Sequence, residues 1–192
     1  PCSRWRIAEA IRCIPAFRRT GRDCMTSPRS PANGSSVDGS SLVRVEKALM
    51  ELGLRSEIKT FDQGTRMAED AANAIGCGVA QIVKSLIFKA SQSGDPVLVL
   101  VSGANRVDLE LVAEAVGEPL AKFDAGFVRE RTEFGICGVA PIDRVEPVRV
   151  WIDRDLEQYQ EIWTAAGSPK AVFRLTPAQL TLATAGDVIR VH

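Results

Sequence analysis

Histidine is almost absent from this chain, and its absence excludes several kinds of catalytic site. The single histidine among 192 residues is His192, the last residue, and chain ends are often poorly ordered. A Ser/His/Asp triad, a Cys–His pair and a histidine-based metal site all need an imidazole inside a pocket. We therefore expect none of these sites, and we separately predict a functional site without a metal or a cofactor.

The cysteines, the charge balance and the apolar runs exclude further classes. The five cysteines include no Cys-x-x-Cys pair, so the spacing of a zinc site or a thioredoxin-like motif is missing. Basic and acidic side chains number 24 each, and this zero net charge excludes a polybasic binder. The longest apolar run, at 97–101, is strand-sized, whereas a helix that crosses a bilayer needs about 20 apolar residues. We expect no membrane span.

The composition of the chain changes near residue 40. Residues 1–40 are rich in arginine, serine and proline, and the Ser/Pro/Gly/Asn-rich part has too little apolar surface to offset the entropy of ordering. A targeting peptide is one interpretation, but a start-site extension is favoured because the segment has no continuous apolar stretch. The sequence predicts a disordered N-terminal extension over 1–40 and one domain over 41–192.

From residue 42 onward the pattern predicts a mixed α/β domain. Apolar residues at helical spacing predict a first helix that begins after Ser40 or Ser41 and ends at Gly53. Two β-rich runs, 82–90 and 97–102, flank a turn sequence and predict a central hairpin. Further helices are predicted at 65–75, 108–116 and 155–165, briefly after Asp124, and after Thr176; further strands are predicted at 56–61, 120–123, 148–152, 171–175 and 188–191. This irregular alternation favours a mixed sheet curled over helices.

Lys84 lies in the middle of an otherwise apolar strand, and two interpretations of it are open. On an edge strand, the lysine stem would cover apolar surface while the ammonium reached water. Facing a cleft, the ammonium would hold a phosphate or carbonyl oxygen as a compact point charge. The strand pattern by itself favours the edge interpretation, because strand lysines are usually solvated.

Two glycine-containing segments are candidates for lining such a cleft. Glycines in the segment 135–141 (GICGVAP) allow close approach of the backbone, and Pro141 fixes its exit. The amides of such a loop can bind an anion or a carbonyl oxygen. Ser102 and Gly103 follow a buried strand, where α/β proteins often place ligands. Taken singly, both segments are also explained as ordinary connecting turns, and Cys137, which lacks a base, is interpreted as a small filler residue.

Taken together and in this order, these motifs resemble the YbaK-type aminoacyl-tRNA editing-domain family. The resemblance covers residues 41–192. It rests on QIVKSLIF around Lys84, VLVLVSGANRVDLELVAEAVGE at 97–118, CGVAP at 137–141 and AAGSPKAVFRLTPAQL at 165–180. The family includes free-standing deacylases that clear mischarged tRNA(Pro) and the editing insertion of bacterial prolyl-tRNA synthetases. It implies the YbaK/prolyl-tRNA synthetase-associated domain fold, a barrel-like mixed β-sheet surrounded by helices.

The resemblance implies hydrolysis of the ester that links a wrong, small amino acid to the 3′ adenosine of a tRNA, with tRNA(Pro) the first candidate. It implies no protein nucleophile: loop amides orient the ester carbonyl, a lysine positions the 3′ end, and a substrate hydroxyl helps to activate water. The implied catalytic residues are Lys84 and Gly138. The implied substrate-binding residues are Ser85, Ser102, Gly103, Gly135, Cys137 and Pro141. The implied partners are the acceptor end of an aminoacyl-tRNA and prolyl-tRNA synthetase, in the cytoplasm.

The sequence departs from the family pattern in the glycine loop. Many relatives read GFxIGGxxP there, whereas Glu133 and Cys137 replace two of the glycines, so a stiffer loop or a narrower pocket is expected. Lys170 stands where some relatives carry a histidine or an asparagine. Zero net charge is unusual for a tRNA-binding protein, so contact with the acceptor end alone is expected. The alternative function is a non-catalytic module that binds an aminoacyl-tRNA 3′ end or a small molecule.

Overall fold

The computed structural model describes residues 37–62, 64–65, 67–122, 139–142 and 148–192. The unit that contains them runs from Gly34 to His192. Most of the predicted N-terminal extension, the predicted brief helix after Asp124 and most of the glycine loop lie outside the described residues. No helix in the described part of the chain has both the length and the apolar composition that a bilayer crossing needs.

Four helices are present among the described residues. They are α1 (Val37–Glu51), α2 (Ala68–Ile75), α3 (Leu109–Val116) and α4 (Pro177–Thr184). The predicted start of α3 is confirmed, because the Asp108 carboxylate accepts from the backbone N–H groups of Glu110 and Leu111. The predicted cap of α4 is confirmed too, since the Thr176 hydroxyl oxygen accepts from the N–H of Gln179.

Helix α1 begins earlier than the sequence predicts. Its first residue is Val37, whereas the predicted start is a cap at Ser40 or Ser41. Ser41 is 2% exposed, so packing holds this serine inside the helix, where its modest helix propensity is easily overridden. The predicted domain boundary at residue 41 stays a prediction, because residues 1–36 lie outside the described part of the chain.

The eight described strands form one mixed sheet. They are β1 (Ile58–Thr60), β2 (Ile82–Ala90), β3 (Pro96–Ser102), β4 (Leu120–Lys122), β5 (Arg149–Asp153), β6 (Ile162–Ser168), β7 (Ala171–Leu175) and β8 (Asp187–Ile189). Their order is β1-β7-β6-β2-β3-β5-β8, and β4 also pairs with β2. The pairs β2/β6, β3/β5 and β5/β8 are parallel and the remaining pairs are antiparallel. The predicted mixed α/β class is confirmed.

The predicted central hairpin is confirmed, and it changes the interpretation of Lys84. Strands β2 and β3 pair antiparallel, with Lys84 opposite Val101. On its other side β2 pairs with β6 at Ile82 and Val83, and with β4 at 88–90. Strand β2 therefore lies inside the sheet and not at its end. Among the described strands, however, none pairs with residues 84–87 on the side of β6 and β4, so Lys84 borders a gap between these two partners.

The predicted helix at 155–165 is wrong. A short 3₁₀ helix, Arg154–Gln158, is followed by strand β6. Six of the seven β6 residues are buried, and the strand pairs with β7 on one side and β2 on the other. Its aromatic and β-branched start, at Ile162, Trp163 and Thr164, suits a buried strand. Pairing with distant strands therefore overrides the helix propensity of the alanines at 165 and 166.

Helices cover both faces of the sheet. Helices α1 and α4 pack on the face that includes Leu100 of β3, and α3 packs on the opposite face, over Val99 and Val101. Helix α2 packs over Ile82. Lys84 pairs with Val101, and directly paired residues share a face. The side chain of Lys84 therefore points to the face that α2 and α3 cover.

Candidate functional site

A cavity of about 560 Å³ lies beside the gap between β6 and β4. Its walls come from α2, from β2, from the turn after β3, and from β6 and the start of β7. This volume falls within the range of about 300–1,000 Å³ that small-molecule sites occupy. The walls combine apolar residues such as Ile82 and Val172 with charged ones such as Lys84 and Glu69. The gap in the sheet is therefore the candidate functional site.

Lys84 supplies a cation to this cavity. Its Nζ donates to the backbone carbonyl oxygen of Gly103 at 3.1 Å and to that of Asn105. Burial lowers the pKa of Lys84, and the negative charges of Glu69 and Asp153 partly offset that effect. The positive charge of Arg106 adds to the lowering. The predicted site lysine thus faces a cleft, as the second of its two interpretations requires.

Gly103 is placed where a larger residue does not fit. A Cβ atom at this position would lie 2.2 Å from the carbonyl oxygen of Val79 and 3.1 Å from the Cβ of Ala68. The N–H of Gly103 donates to the carbonyl oxygen of Ile82 at 2.7 Å, which draws the turn against β2. Gly103 lines the cavity and presents its own carbonyl to Lys84, so these two predicted site residues lie together.

Ser102 lies behind the cavity rather than in its wall. It is 1% exposed and is not among the residues that line the cavity. Its hydroxyl donates to the carbonyl oxygen of Ala80 at 2.8 Å, and its N–H donates to Asp153 Oδ2 at 3.1 Å. In this geometry Ser102 joins the turn to its surroundings and presents no free hydroxyl to a ligand.

Three buried polar atoms in residues that line the cavity have no hydrogen-bond partner among the described residues. They are Ser85 Oγ, Trp163 Nε1 and Thr164 Oγ1. Such orphaned groups are rare because each costs desolvation energy. All three atoms are buried and expose almost no surface to the cavity. Ser85, a predicted substrate-binding residue, lines the cavity, but its hydroxyl oxygen is buried and has no partner among the described residues.

Two cationic side chains lie near the Trp163 ring. Lys59 Nζ lies 4.8 Å and Arg174 Cζ lies 5.9 Å from the ring centroid, which is within the range of a cation–π contact. Trp163 itself is 2% exposed. Both cations are also ion-paired, Lys59 with Glu57 and Arg174 with Glu57 and Glu161, and neither lines the cavity. Lys170 is exposed and does not line the cavity either.

The glycine loop is described only at its end. Gly135, Cys137 and Gly138 lie outside the described residues, so their roles in substrate binding and catalysis stay predictions. Pro141 is buried and does not line the cavity. Val139 is 2% exposed, belongs to the main core cluster and lines the cavity. The loop therefore leaves the region of the cavity through a segment that is fixed in the core.

Asp153 and Asn105 are site residues for which the sequence analysis predicts no role. Asp153 is 1% exposed, and its Oδ2 accepts from Asn105 Nδ2 at 2.8 Å. The same Nδ2 donates to Asp155 Oδ2 at 2.9 Å. The one feature of the sequence that could have indicated this role is the position of Asp153, directly after the apolar strand predicted at 148–152. A carboxylate there must be either solvated or hydrogen-bonded.

One group of three potential metal ligands occurs among the described residues. Donor atoms of Asp153, Asp155 and His192 lie within 4.8 Å of one another. Both oxygens of Asp153, however, already accept hydrogen bonds from N–H groups of the protein, and the His192 ring is 3.6 Å from Asp155. Hydrogen bonding within the protein accounts for this arrangement, and we assign no metal to it.

Comparisons with known proteins find a matching family model and several similar proteins. The family model described as the aminoacyl-tRNA editing domain matches residues 62–182. The uncharacterized protein YwhH of Bacillus subtilis (strain 168) is 28% identical over 142 residues, which are 73% of this chain and 89% of YwhH. A crystal structure of a proposed trans-editing enzyme for prolyl-tRNA synthetase is 41% identical, with a TM-score of 0.75 over 79% of this chain and 96% of that one. The hypothetical protein APE2540 is 26% identical, with a TM-score of 0.72 over 77% of this chain and 98% of that one.

Proposed function

We propose that this chain, which belongs to the aminoacyl-tRNA editing domain family, is a trans-editing hydrolase that deacylates a mischarged tRNA. The observation that carries the proposal is the ammonium of Lys84, which two backbone carbonyls hold in a cavity of ligand size. Most lysines on strands reach bulk water. A lysine that is instead held in a cavity is suited to bind an oxygen atom of a ligand.

The reaction needs no protein nucleophile. A hydroxyl of the substrate helps to activate a water molecule, which adds to the carbonyl carbon of the aminoacyl ester. The bond from that carbon to the ribose oxygen breaks, this oxygen takes up the proton that the water gave up, and the free amino acid and the tRNA 3′ hydroxyl are released. Lys84 binds and orients an oxygen of the 3′ end as a point charge. Amides of the loop at 135–141 stabilise the negative charge that develops on the carbonyl oxygen. A chain without an internal histidine can perform this chemistry, because positioned donors stabilise the developing charge and the substrate's own hydroxyl assists the proton transfer.

The substrate is a small amino acid attached to a tRNA, with tRNA(Pro) the first candidate. Small and apolar residues, among them Ala68, Ala71 and Val172, form part of the cavity wall. The volume of a pocket lined in this way selects between amino acids of different size. The structural relative linked to prolyl-tRNA synthetase supports tRNA(Pro) and makes that synthetase the first candidate partner. Because the chain has zero net charge, it contacts only the acceptor end of the tRNA. The proposed location of this reaction is the cytoplasm.

A non-catalytic binding module is the second candidate function. It is favoured by Glu133 and Cys137, which stand where many relatives carry glycine in the loop. Side chains restrict the backbone angles that a glycine loop can use, and loop amides that point away from the ester would bind the acceptor end without accelerating hydrolysis. The two candidates differ in turnover and not in binding.

Deacylation of labelled tRNA(Pro) that carries alanine, cysteine, serine or 2-aminobutyrate tests the proposal. We expect at least one substrate to turn over, and Lys84→Ala to lower kcat/KM by about 100-fold or more. Lys89→Ala is the matched control, because Lys89 lies on the same strand but is exposed, and its activity should stay within about twofold of wild type. Saturable binding of the acceptor end without turnover would support the binding module. The absence of both turnover and binding would refute both functions.

A further inference from the structure

Asp153 is a buried carboxylate that the proposed reaction does not use. It ends strand β5 and is 1% exposed. No lysine or arginine within the described ranges forms an ion pair with it. Burying a charge is costly unless hydrogen bonds and nearby charges compensate it. The surroundings of Asp153 therefore call for an explanation.

Its two oxygens hold the turn that follows β3. Oδ2 accepts from the backbone N–H of Ser102 at 3.1 Å and from Nδ2 of Asn105 at 2.8 Å. Oδ1 accepts from the N–H of Asp155 at 3.1 Å. The turn is closed by the N–H of Asn105, which donates to the carbonyl oxygen of Ser102 at 3.0 Å. One carboxylate therefore fixes both ends of the turn 102–105.

The same turn presents the acceptors that direct Lys84. The carbonyl oxygens of Gly103 and Asn105 both accept from Lys84 Nζ. An ammonium group has three N–H donors, so these two bonds leave one donor for a ligand in the cavity. The direction of that donor depends on where the two carbonyls lie, and their position depends on the turn.

We propose that Asp153 is a positioning residue for Lys84: it fixes the turn 102–105, whose carbonyls aim the ammonium into the cavity. The negative charge of Asp153 also raises the pKa of Lys84. Three charged groups face Lys84 from the described residues. They are Glu69 on α2, Arg106 after the turn and Asp153 on β5. Glu69 and Arg106 are exposed, so water and salt screen them. Asp153 alone combines burial with direct hydrogen bonds to the turn.

Nuclear magnetic resonance of ¹³C-labelled lysine tests this without any substrate. The Lys84 signal is assigned by its loss in Lys84→Ala. In Asp153→Asn the amide keeps the shape of the carboxylate but removes its charge and one of its acceptor atoms. We therefore expect a changed Lys84 chemical shift at neutral pH and a lower Lys84 pKa. Asp155→Asn is the matched control: Asp155 also accepts from Asn105 but is 44% exposed, and we expect a Lys84 signal like that of wild type.

Two results would overturn the proposal. One is an Asp153→Asn protein whose Lys84 shift and pKa match those of wild type; the other is an equal change in Asp155→Asn. If Asp153→Asn does not fold, Asn105→Ala replaces it, because it removes the side-chain link between the turn and Asp153 while leaving the carboxylate in place. An unchanged Lys84 signal in Asn105→Ala would then refute the proposal, and a changed one would support it.

The kinetic consequence rests on the proposed function, and a separate assay measures it. In deacylation, Asp153→Asn is expected to lower kcat by about tenfold to 100-fold, because misdirecting a reacting group by about 1 Å has this effect, and to change KM by less than about twofold. A loss confined to KM would contradict positioning. If wild type shows no deacylation, the proposed function fails, while the lysine signals still decide the role of Asp153.

Discussion

Gly103→Ala is expected to destabilise the fold and to disable the site together. The added Cβ would lie 2.2 Å from the carbonyl oxygen of Val79, whereas ordinary contacts begin at 3.4 Å. The turn and the 3₁₀ helix Val79–Gln81 must therefore separate by about 1 Å. Overpacking of this kind costs about 1–3 kcal/mol. Because the Gly103 carbonyl binds Lys84, a displacement of about 1 Å is also expected to lower deacylation by about 100-fold.

Equilibrium denaturation in urea and single-turnover deacylation check the two effects on the same protein samples. Gly78→Ala is the matched control, because a Cβ there would meet only Gln81 Oε1 at 3.4 Å and Gly78 has an ordinary φ of −71°. Its free energy of unfolding should stay within about 0.5 kcal/mol of wild type. A Gly103→Ala protein with wild-type stability and activity would show that the turn adapts at no cost, and would refute the close approach as the reason for the glycine.

Two further predictions concern Thr164 and Lys84. Thr164→Val replaces a buried hydroxyl without a described partner by a methyl group. We expect it to raise the free energy of unfolding by about 1 kcal/mol. Destabilisation in urea would instead mean that the hydroxyl is hydrogen-bonded in the folded protein. Burial lowers the pKa of folded Lys84 below 10.5, so between that lowered pKa and 10.5 the unfolded chain binds more protons than the folded one. Stability should therefore rise with pH in this interval relative to Lys84→Met, and parallel pH dependences of the two proteins would contradict the lowered pKa.

Much of the local structure could be predicted because short-range chemistry decides it. The cap at Asp108, the cap at Thr176 and the hairpin of 82–90 with 97–102 all depend on residues close together in the chain. Lys84 was singled out because a charge in an apolar strand needs a compensating contact, but the strand pattern favoured an edge lysine, and only the family resemblance assigned it to the site. The start of α1 could not be predicted from the sequence, because the burial of Ser41 results from tertiary packing.

The sequence by itself determined the fold class, the caps at Asp108 and Thr176 and the central hairpin, and it singled out Lys84 as a residue that needs an explanation. Only the tertiary structure decided that β2 lies between partners and that 162–168 is a strand, because pairing with distant strands outweighs local propensity. It also decided the cavity wall at Trp163 and Thr164, and the support of the Lys84 turn by Asp153, which lies 51 residues beyond Ser102 in the chain. Such contacts join segments that meet only when the whole sheet forms, so no local pattern encodes them.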